Sequence, residues 1–289
     1  MQQRATICLH LILLSRQVTK MNRTILGGFI SVKSVIESKS REIFKIYIEK
    51  SRYDKIMSSD LRIPEQRQYS ALLNSGAECV FLSSDEFENL IDNNNAGGIA
   101  AEVGERIFTP SEEVLSLRNG YIAILDGIED PFNFAYALRS LYAAGVDAVI
   151  LPERNFFTAS DTVIRSSAGA SELIKACCVS DLAEACKTLK KNGYTLCATA
   201  KTDKAKDLYS CKVSKPFCVI FGGEKRGIKK EILDMCDFCI KIKYPRNCHY
   251  SLPACSAISI ISFECAKKLS PHSKGKQNFG NGPRNKHLG

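Results

Sequence analysis

The stretch that decides the fold is residues 121–139, YIAILDGIEDPFNFAYALR. Its first five residues form an apolar run that reads as a buried strand, and Pro131 suits the first turn of the helix that follows. The same strand-and-helix unit recurs through the second half of the chain, with strand-like runs at 121–125, 148–151, 176–179, 194–198, 217–221 and 238–242. Six short apolar strands that alternate with helices predict an α/β fold with a parallel sheet covered on both faces.

A smaller α/β block comes before this sheet. Hydrophobic periodicity predicts a helix at 29–36, a strand at 44–48, a helix at 65–74 and a strand at 79–82. The capping pattern Ser83-x-x-Glu86 predicts another helix, and a glycine-led strand at 97–103 closes the block. We therefore predict a first domain at 21–105, a linker at 106–119 and a second domain at 120–269.

The net charge of +9 lies at the two ends of the chain. Residues 1–20 carry three basic and no acidic residues, and residues 265–289 carry six basic and no acidic residues, so residues 21–264 are formally neutral. We expect residues 1–20 to be disordered or to result from an incorrectly assigned translation start, and we expect residues 270–289 to be a disordered basic tail. The charge of the folded body is therefore no evidence for nucleic-acid binding.

The 13 cysteines indicate reduced, buried thiols, and with them a cytoplasmic protein that does not enter a membrane. A zinc site could be formed by four of Cys236, Cys239, Cys248, His249 and Cys255. The spacing lacks a second CxxC or HxxxH pair, so we favour packing of Cys236 and Cys239 at a helix-to-strand junction and predict no metal.

Three constellations follow the first, fifth and sixth strands of the second block. They are Asp130-Pro131-x-Asn133 with Arg139 six residues later, Gly222-Gly223-Glu224-Lys225-Arg226-Gly227, and the segment 243–253, KYPRNCHYSLP. Ligands bind beyond the carboxyl ends of the strands in such sheets, so we expect these residues to converge at one edge. Asn133 and Arg139 are expected on roughly the same side of their helix, and the glycines are expected to let a ligand approach the backbone.

These motifs, in this order, resemble those of the TrmH (SpoU) family of RNA 2′-O-ribose methyltransferases in the SPOUT superfamily. The first block resembles the family's RNA substrate-binding domain, including its closing Gly98-Ile99-Ala100-Ala101 strand. The resemblance implies that the second domain is an α/β trefoil knot, that the protein is a homodimer, and that S-adenosylmethionine is the cofactor. It further implies an RNA partner, with ribosomal RNA favoured over tRNA by family analogy.

The resemblance also implies roles for individual residues. The reaction centre would hold Asn133, Arg139, Glu224 and Ser251, and the cofactor would lie against Gly222, Gly223, Gly227, Ile242 and Leu252. Basic residues near the same edge, Arg154, Lys225, Arg226 and Arg246, are the candidates for RNA contact. Because a guanidinium is always protonated, we expect Arg139 to hold a phosphate rather than to accept a proton.

Two positions depart from the family pattern. Pro253 stands where the family has Asn beside the catalytic Arg, and Ala135 replaces a Gly. An alternative is therefore a catalytically silent SPOUT-fold protein that binds RNA. A nicotinamide or nucleotide enzyme is disfavoured, since the first crossover has only Gly127 where a glycine fingerprint would stand.

Overall fold

The computed structural model describes residues 23–91, 96–153, 160–200, 202–223, 226–247 and 249–270. The predictions made for residues 1–20 and for the tail beyond residue 270 lie outside these ranges.

The first half of the chain forms a four-stranded sheet with helices. Its elements are β1 (Thr24–Gly27), α1 (Phe29–Ser38), β2 (Ile43–Glu49), α2 (Lys50–Met57), α3 (Ile63–Leu73), β3 (Cys79–Leu82), α4 (Ser84–Leu90) and β4 (Ile99–Val103). The strand order is β1-β4-β2-β3, with β4 antiparallel to β1 and β2, and β2 parallel to β3. Ser83 and Glu86 form the predicted capping box at the start of α4. The sequence patterns did not predict β1 or α2.

The second half forms a parallel sheet of seven strands. Its elements are α5 (Ser111–Leu115), β5 (Tyr121–Asp126), α6 (Pro131–Ala143), β6 (Ala148–Pro152), α7 (Ser160–Ser166), α8 (Ala170–Leu173), β7 (Ala176–Val179), α9 (Leu182–Lys191), β8 (Thr195–Thr199), β9 (Lys206–Asp207), β10 (Phe217–Gly222), α10 (Lys230–Met235), β11 (Phe238–Lys241) and α11 (Ala254–Leu269). The strand order is β7-β6-β5-β10-β8-β11-β9, and each neighbouring pair is parallel. The predicted α/β fold class and the six strands are confirmed, and the two-residue β9 is an addition.

Successive residues of each central strand enter different cores on the two faces of this sheet. Ala123 and Leu125 of β5 pack with Leu138 of α6 and Ile258 of α11. Ile122 and Ile124 pack instead with residues of α9 and α10 on the opposite face. Burial on both faces explains why the strands are apolar without alternation.

The two halves pack against each other through α1, α7 and α8. Ile164 of α7 belongs to the apolar core of the first half, and a Cβ atom at Gly169 would lie 2.8 Å from the Cβ of Ser34. At the same contact, the buried carboxylate of Glu172 accepts hydrogen bonds from Arg41 Nε at 3.1 Å and from Arg106 Nη1 at 3.2 Å. Both arginines precede the second half in sequence, so this charge cluster joins the two halves.

Helix α11 returns the chain to the start of β5. The hydroxyl of Tyr121 donates a hydrogen bond to the carbonyl of Ser262 at 3.2 Å, and both groups are buried. The trefoil knot and the domain limits stay predictions. Within the described ranges, every helix is too short or too polar to cross a bilayer.

Candidate active site

A cavity of about 310 Å³ opens where β5 and β10 end. It is lined by Asp126, Gly127, Ile128, Glu129, Asp130, Asn133, Arg226, Gly227, Lys229 and Ala254. Asp130 and Asn133 belong to the first predicted constellation, Arg226 and Gly227 belong to the second, and Ala254 is the first residue of α11, which follows the third. The edge of the sheet predicted to bind a ligand therefore contains a cavity.

The turn before α6 places Asn133 at this cavity. Asp130 is the N-cap residue, and its carboxylate accepts a hydrogen bond from the backbone N–H of Asn133 at 2.8 Å. Pro131 occupies the first helical turn, where its missing N–H costs no helical hydrogen bond. The cap and the proline together fix the helix start, and with it the half-buried side chain of Asn133.

Arg139 does not join Asn133 in the lining of the cavity. Six residues on an α-helix rotate the side-chain direction by about 600°, which leaves the two side chains about 120° apart. The expectation that they share one side of the helix is therefore wrong. Arg139 shares an exposed stripe with Phe132 and Tyr136, at the helical spacing of three and four residues.

The glycines after β5 and β10 allow close contact between two backbone segments. A Cβ atom at Gly223 would lie 2.1 Å from the carbonyl oxygen of Gly127, and one at Gly222 would lie 2.5 Å from the carbonyl carbon of Gly227. Space that was expected to admit a ligand is thus filled by the chain itself at Gly222 and Gly223. Gly227 differs: it lines the cavity with a φ of +63°, and a Cβ atom there would meet no atom within 4 Å.

The third constellation lies between β11 and α11. Ile242 packs partly buried against the core, and the backbone N–H of Leu252 donates a hydrogen bond to the hydroxyl of Tyr244 at 3.1 Å. Ser251 is exposed, and Pro253 is the N-cap residue of α11, where no side-chain cap exists. The cavity lining does not include Ile242, Ser251 or Leu252.

The remaining predicted residues divide into two groups. Glu224, Lys225 and Arg154 lie outside the described residues. Arg226 is exposed and lines the cavity, whereas Arg246 is exposed on the segment before α11 and does not line it.

Ala135 is buried in the core beneath α6 rather than at the cavity. The methyl group that Ala has in place of the family's Gly therefore packs in the core and does not narrow the cavity.

Four charged residues line the cavity although none of them was assigned a site role from the sequence. They are Asp126, Glu129, Asp130 and Lys229. The three carboxylates could have been predicted from their position in the sequence, because they follow a buried strand of a parallel sheet, at the end where ligands bind. Lys229 could not be predicted in this way, because it does not follow a strand but precedes a short helix.

The cysteines behave as packing residues. Every cysteine in the described ranges is a free thiol, and burial raises the pKa of Cys177 and that of Cys186 to about 12. A thiol with so high a pKa is a poor nucleophile and a poor metal ligand at neutral pH. Among the described residues, no group of three His, Cys, Asp or Glu side chains could hold a metal ion. Cys248, one of the zinc candidates, lies outside them.

Comparisons with known proteins agree on the second half of the chain. Residues 120–263 match the sequence model of the SpoU rRNA Methylase family. A protein of Staphylococcus haemolyticus named as a TrmH family tRNA/rRNA methyltransferase is 36% identical over 147 residues, which are 51% of this chain and 58% of that protein. A Staphylococcus aureus protein of the same name is 35% identical over the same shares. The match thus spans less than two thirds of these relatives.

Solved structures resemble the whole described fold. An rRNA methyltransferase from Sinorhizobium meliloti, in its AdoMet-bound form, has a TM-score of 0.68 at 17% identity and covers 86% of this chain and 89% of its own. An RNA 2′-O ribose methyltransferase has a TM-score of 0.66 at 19% identity, with coverage of 86% and 89%. At these identities the likeness concerns the fold, and it extends over both halves of the chain.

Proposed function

We propose that this protein is an S-adenosylmethionine-dependent methyltransferase that modifies a ribose 2′-hydroxyl of RNA, because residues 120–263 match the sequence model of the SpoU rRNA Methylase family. The observation that carries the proposal is the cavity at the ends of β5 and β10, which is lined by Asn133 and Gly227 of two family motifs. Ribosomal RNA is the proposed substrate class, supported by the name of the family and by the rRNA methyltransferase of the same fold. The proposed compartment is the cytoplasm.

The cavity fits a small cationic cofactor. Its volume of about 310 Å³ lies in the range usual for small-molecule sites, about 300–1,000 Å³. The absent side chain of Gly227 leaves open space in the lining, and the three carboxylates of Asp126, Glu129 and Asp130 outnumber the two cations, Arg226 and Lys229, which favours a positively charged ligand. By the family resemblance, the cofactor would be held by Gly222, Gly223, Gly227, Ile242 and Leu252. When bound, S-adenosylmethionine supplies an electrophilic methyl group on a positively charged sulfur.

The protein's contribution is to align the acceptor and to stabilise developing charge. Asn133 at the cavity can donate to and accept from the ribose. Arg139 cannot serve as a base, so its proposed role is a bidentate contact with the neighbouring phosphate. Glu224 would orient Arg139 or the ribose, and Ser251 would lie close to the acceptor; both roles rest on the resemblance.

A homodimer is part of the proposal. Phe132 and Tyr136 lie beside Arg139 on the exposed stripe of α6, and Phe263 of α11 is a further exposed aromatic side chain. A second copy that covers the stripe of α6 would bury its aromatic rings and bring Arg139 out of solvent. Sedimentation equilibrium of the wild-type protein, compared with Tyr136→Glu, tests the assembly: a monomeric wild type would refute it.

The test of the enzymatic function combines binding with transfer. We expect isothermal titration with S-adenosylmethionine to show one site, and we expect methyl transfer to ribosomal RNA to end at 2′-O-methylribose. Methyl transfer to tRNA but not to ribosomal RNA would refute ribosomal RNA as the substrate class and leave the methyltransferase activity in place. Absence of cofactor binding would refute the enzyme and leave the silent RNA-binding protein, the alternative that Pro253 favours.

Arg139→Lys tests the bidentate contact within this function. Lysine keeps the charge and loses the planar fork, so we expect kcat/KM to fall by about tenfold to a hundredfold, corresponding to about 1.5–3 kcal/mol. Arg118→Lys, at an exposed position before β5, serves as the control. Activity of Arg139→Lys equal to that of wild type would show that charge alone suffices.

A further inference from the structure

A second open cavity lies on the first half of the chain, far in sequence from the methyltransferase motifs. It has a volume of about 450 Å³ and is lined by Glu49, Ser51, Arg52, Lys55, Ile56 and Arg62. Three of these residues are cations with exposed side chains, two from α2 and one from the N-cap position of α3. We call Arg52, Lys55 and Arg62 the basic hairpin surface.

The basic hairpin surface is not explained by the composition of its domain. Residues 21–119 contain 12 basic and 15 acidic residues. Three of the four other lysines of this domain have acidic partners: Lys33 pairs with Glu37, Lys45 with Glu78, and Lys50 with Asp54.

By contrast, Arg52, Lys55 and Arg62 form no ion pair within the part of the chain that the structure describes. The carboxylate of Glu49, which also lines the cavity, accepts hydrogen bonds from the hydroxyls of Ser51 at 2.8 Å and Ser84 at 2.9 Å. Three cations of one acidic domain therefore collect around a single cavity with their charges available.

The segment that carries these cations is held in place. The Gln66 side chain donates hydrogen bonds to the carbonyls of Ile56 at 3.0 Å and Ser59 at 2.8 Å, which fixes the connection between α2 and α3. Gly98, with a φ of +74°, leaves the room that Arg52 occupies, since a Cβ atom there would lie 2.7 Å from Arg52 Cδ. The cations are thus presented on a preorganised hairpin, which lowers the entropic cost of binding.

An apolar side chain projects from the same connection. Leu61 is 92% exposed, directly before Arg62, and Ile63 beside it is 51% exposed. Such residues cost free energy in water and gain it when they meet a flat apolar surface. Cations that surround a cavity, with an exposed apolar residue beside them, are complementary to a nucleic-acid strand, which offers phosphates and base faces together.

We propose that the basic hairpin surface binds the phosphate backbone of the RNA substrate, with Leu61 against a ribose or base. The two guanidinium groups match phosphate oxygens bidentately, and Lys55 adds a point charge. This inference rests on the RNA substrate proposed above and adds the surface on the first domain that grips it. The methyltransferase cavity would then act on a nucleotide presented from the hairpin.

The experiment measures RNA affinity as a function of salt for three full-length proteins. They are wild type, the triple variant R52Q/K55Q/R62Q, and the control K33Q/K45Q/K50Q, which removes the same charge from ion-paired lysines of the same domain. The probe is a fluorescein-labelled RNA stem-loop, titrated between about 50 and 200 mM KCl. Thermal melting and titration with S-adenosylmethionine verify that each variant is folded.

We expect the triple variant to bind RNA at least roughly tenfold more weakly at low salt, and its slope of log K against log salt to decrease by about 2–3. The control should keep the wild-type slope and affinity. Equal losses in both triple variants, or no loss in either, would overturn the proposal. Polyglutamate that competes as well as unlabelled RNA would also overturn it, because the surface would then suit an acidic peptide.

The RNA-binding assay tests the basic hairpin surface separately from the proposed methyltransferase activity. RNA binding is read without methyl transfer, so a protein that binds RNA through the hairpin but transfers no methyl group would refute the proposed enzyme alone. A protein that methylates RNA with the triple variant as efficiently as wild type at subsaturating RNA would refute the hairpin alone.

Discussion

At the scale of residues, a contact between the backbone atoms of two glycines sets the geometry of the cavity. Gly127 and Gly223 are 96 positions apart in sequence, yet their backbones meet where β5 and β10 end, because the strands are neighbours in the sheet. Neither position tolerates a side chain: Gly127 has a φ of +92°, and Gly223 faces a carbonyl oxygen. This contact fixes the distance between the turn that leads to Asn133 and the loop that ends at Gly227.

Gly223→Ala tests that contact. The added methyl group cannot fit 2.1 Å from the oxygen of Gly127, so the strands must separate, at a cost of about 2–3 kcal/mol in the free energy of unfolding. Gly193→Ala is the matched control, because Gly193 has a φ of +81° and an added Cβ atom would meet no atom within 4 Å. Its cost in the free energy of unfolding should be about 1 kcal/mol. Urea unfolding measures both; a smaller loss for Gly223→Ala than for Gly193→Ala would contradict the contact.

At the scale of elements, helix α11 begins at a residue that provides no side-chain cap. Its N-cap residue is Pro253, whose side chain accepts no hydrogen bond from the first turn, whereas Asp130 caps α6 and Asp181 caps α9. Pro253 thus occupies the N-cap position, where a side-chain acceptor is normally favoured.

Pro253→Asn should therefore stabilise the protein. An asparagine at this position can accept from an N–H of the first turn, worth about 1 kcal/mol. Pro253→Ala removes the proline ring without adding a cap and separates the two effects. We expect the melting temperature to follow the order Asn above Ala; equal values would show that the α11 terminus is already satisfied in another way.

Patterns of local sequence predicted the elements whose causes are local. The apolar runs of the buried strands and the capping box at Ser83 were both predicted from sequence. Helix α2 was missed because Ile56 is its one buried residue, which leaves no apolar period to detect. The prediction that Arg139 shares a side of α6 with Asn133 was wrong, because a separation of six residues falls short of two full helical turns and leaves the side chains about 120° apart. The cavity lining depends on which distant strands become neighbours, and that order is a property of the whole sheet.

At the scale of the molecule, a buried charge cluster joins the two halves. Burial raises the pKa of Glu172, but the attractions of Arg106 and Arg41 and the hydrogen bonds from Arg41 and Ser40 outweigh it, so the pKa lies below its usual range. A carboxylate with a lowered pKa stabilises the folded state above its unfolded pKa, about 4.3, and that contribution is lost as the pH falls through the folded value.

Glu172→Gln should destabilise the protein strongly. The change leaves two buried guanidinium groups without their counter-charge, at an expected cost of about 3–5 kcal/mol at pH 7. Glu113→Gln, which breaks the exposed pair with Lys175, should cost no more than about 1 kcal/mol. The difference between the two variants should shrink below about pH 4, as Glu172 becomes protonated in wild type. Denaturant titrations at several pH values measure this, and a difference that does not depend on pH would contradict the ionised carboxylate.

The cluster around Glu172 also limits how the protein can be divided or recombined. The carboxylate belongs to the second half of the chain, whereas Arg41 lies in the first half and Arg106 in the segment that connects the two. A fragment that starts at residue 120 would expose an acidic spot on an apolar surface, and the complementary fragment would expose two basic ones. Chimeras that graft the first half of this chain onto the second half of a relative would therefore need to transfer Ser40, Arg41, Arg106 and Glu172 as one set.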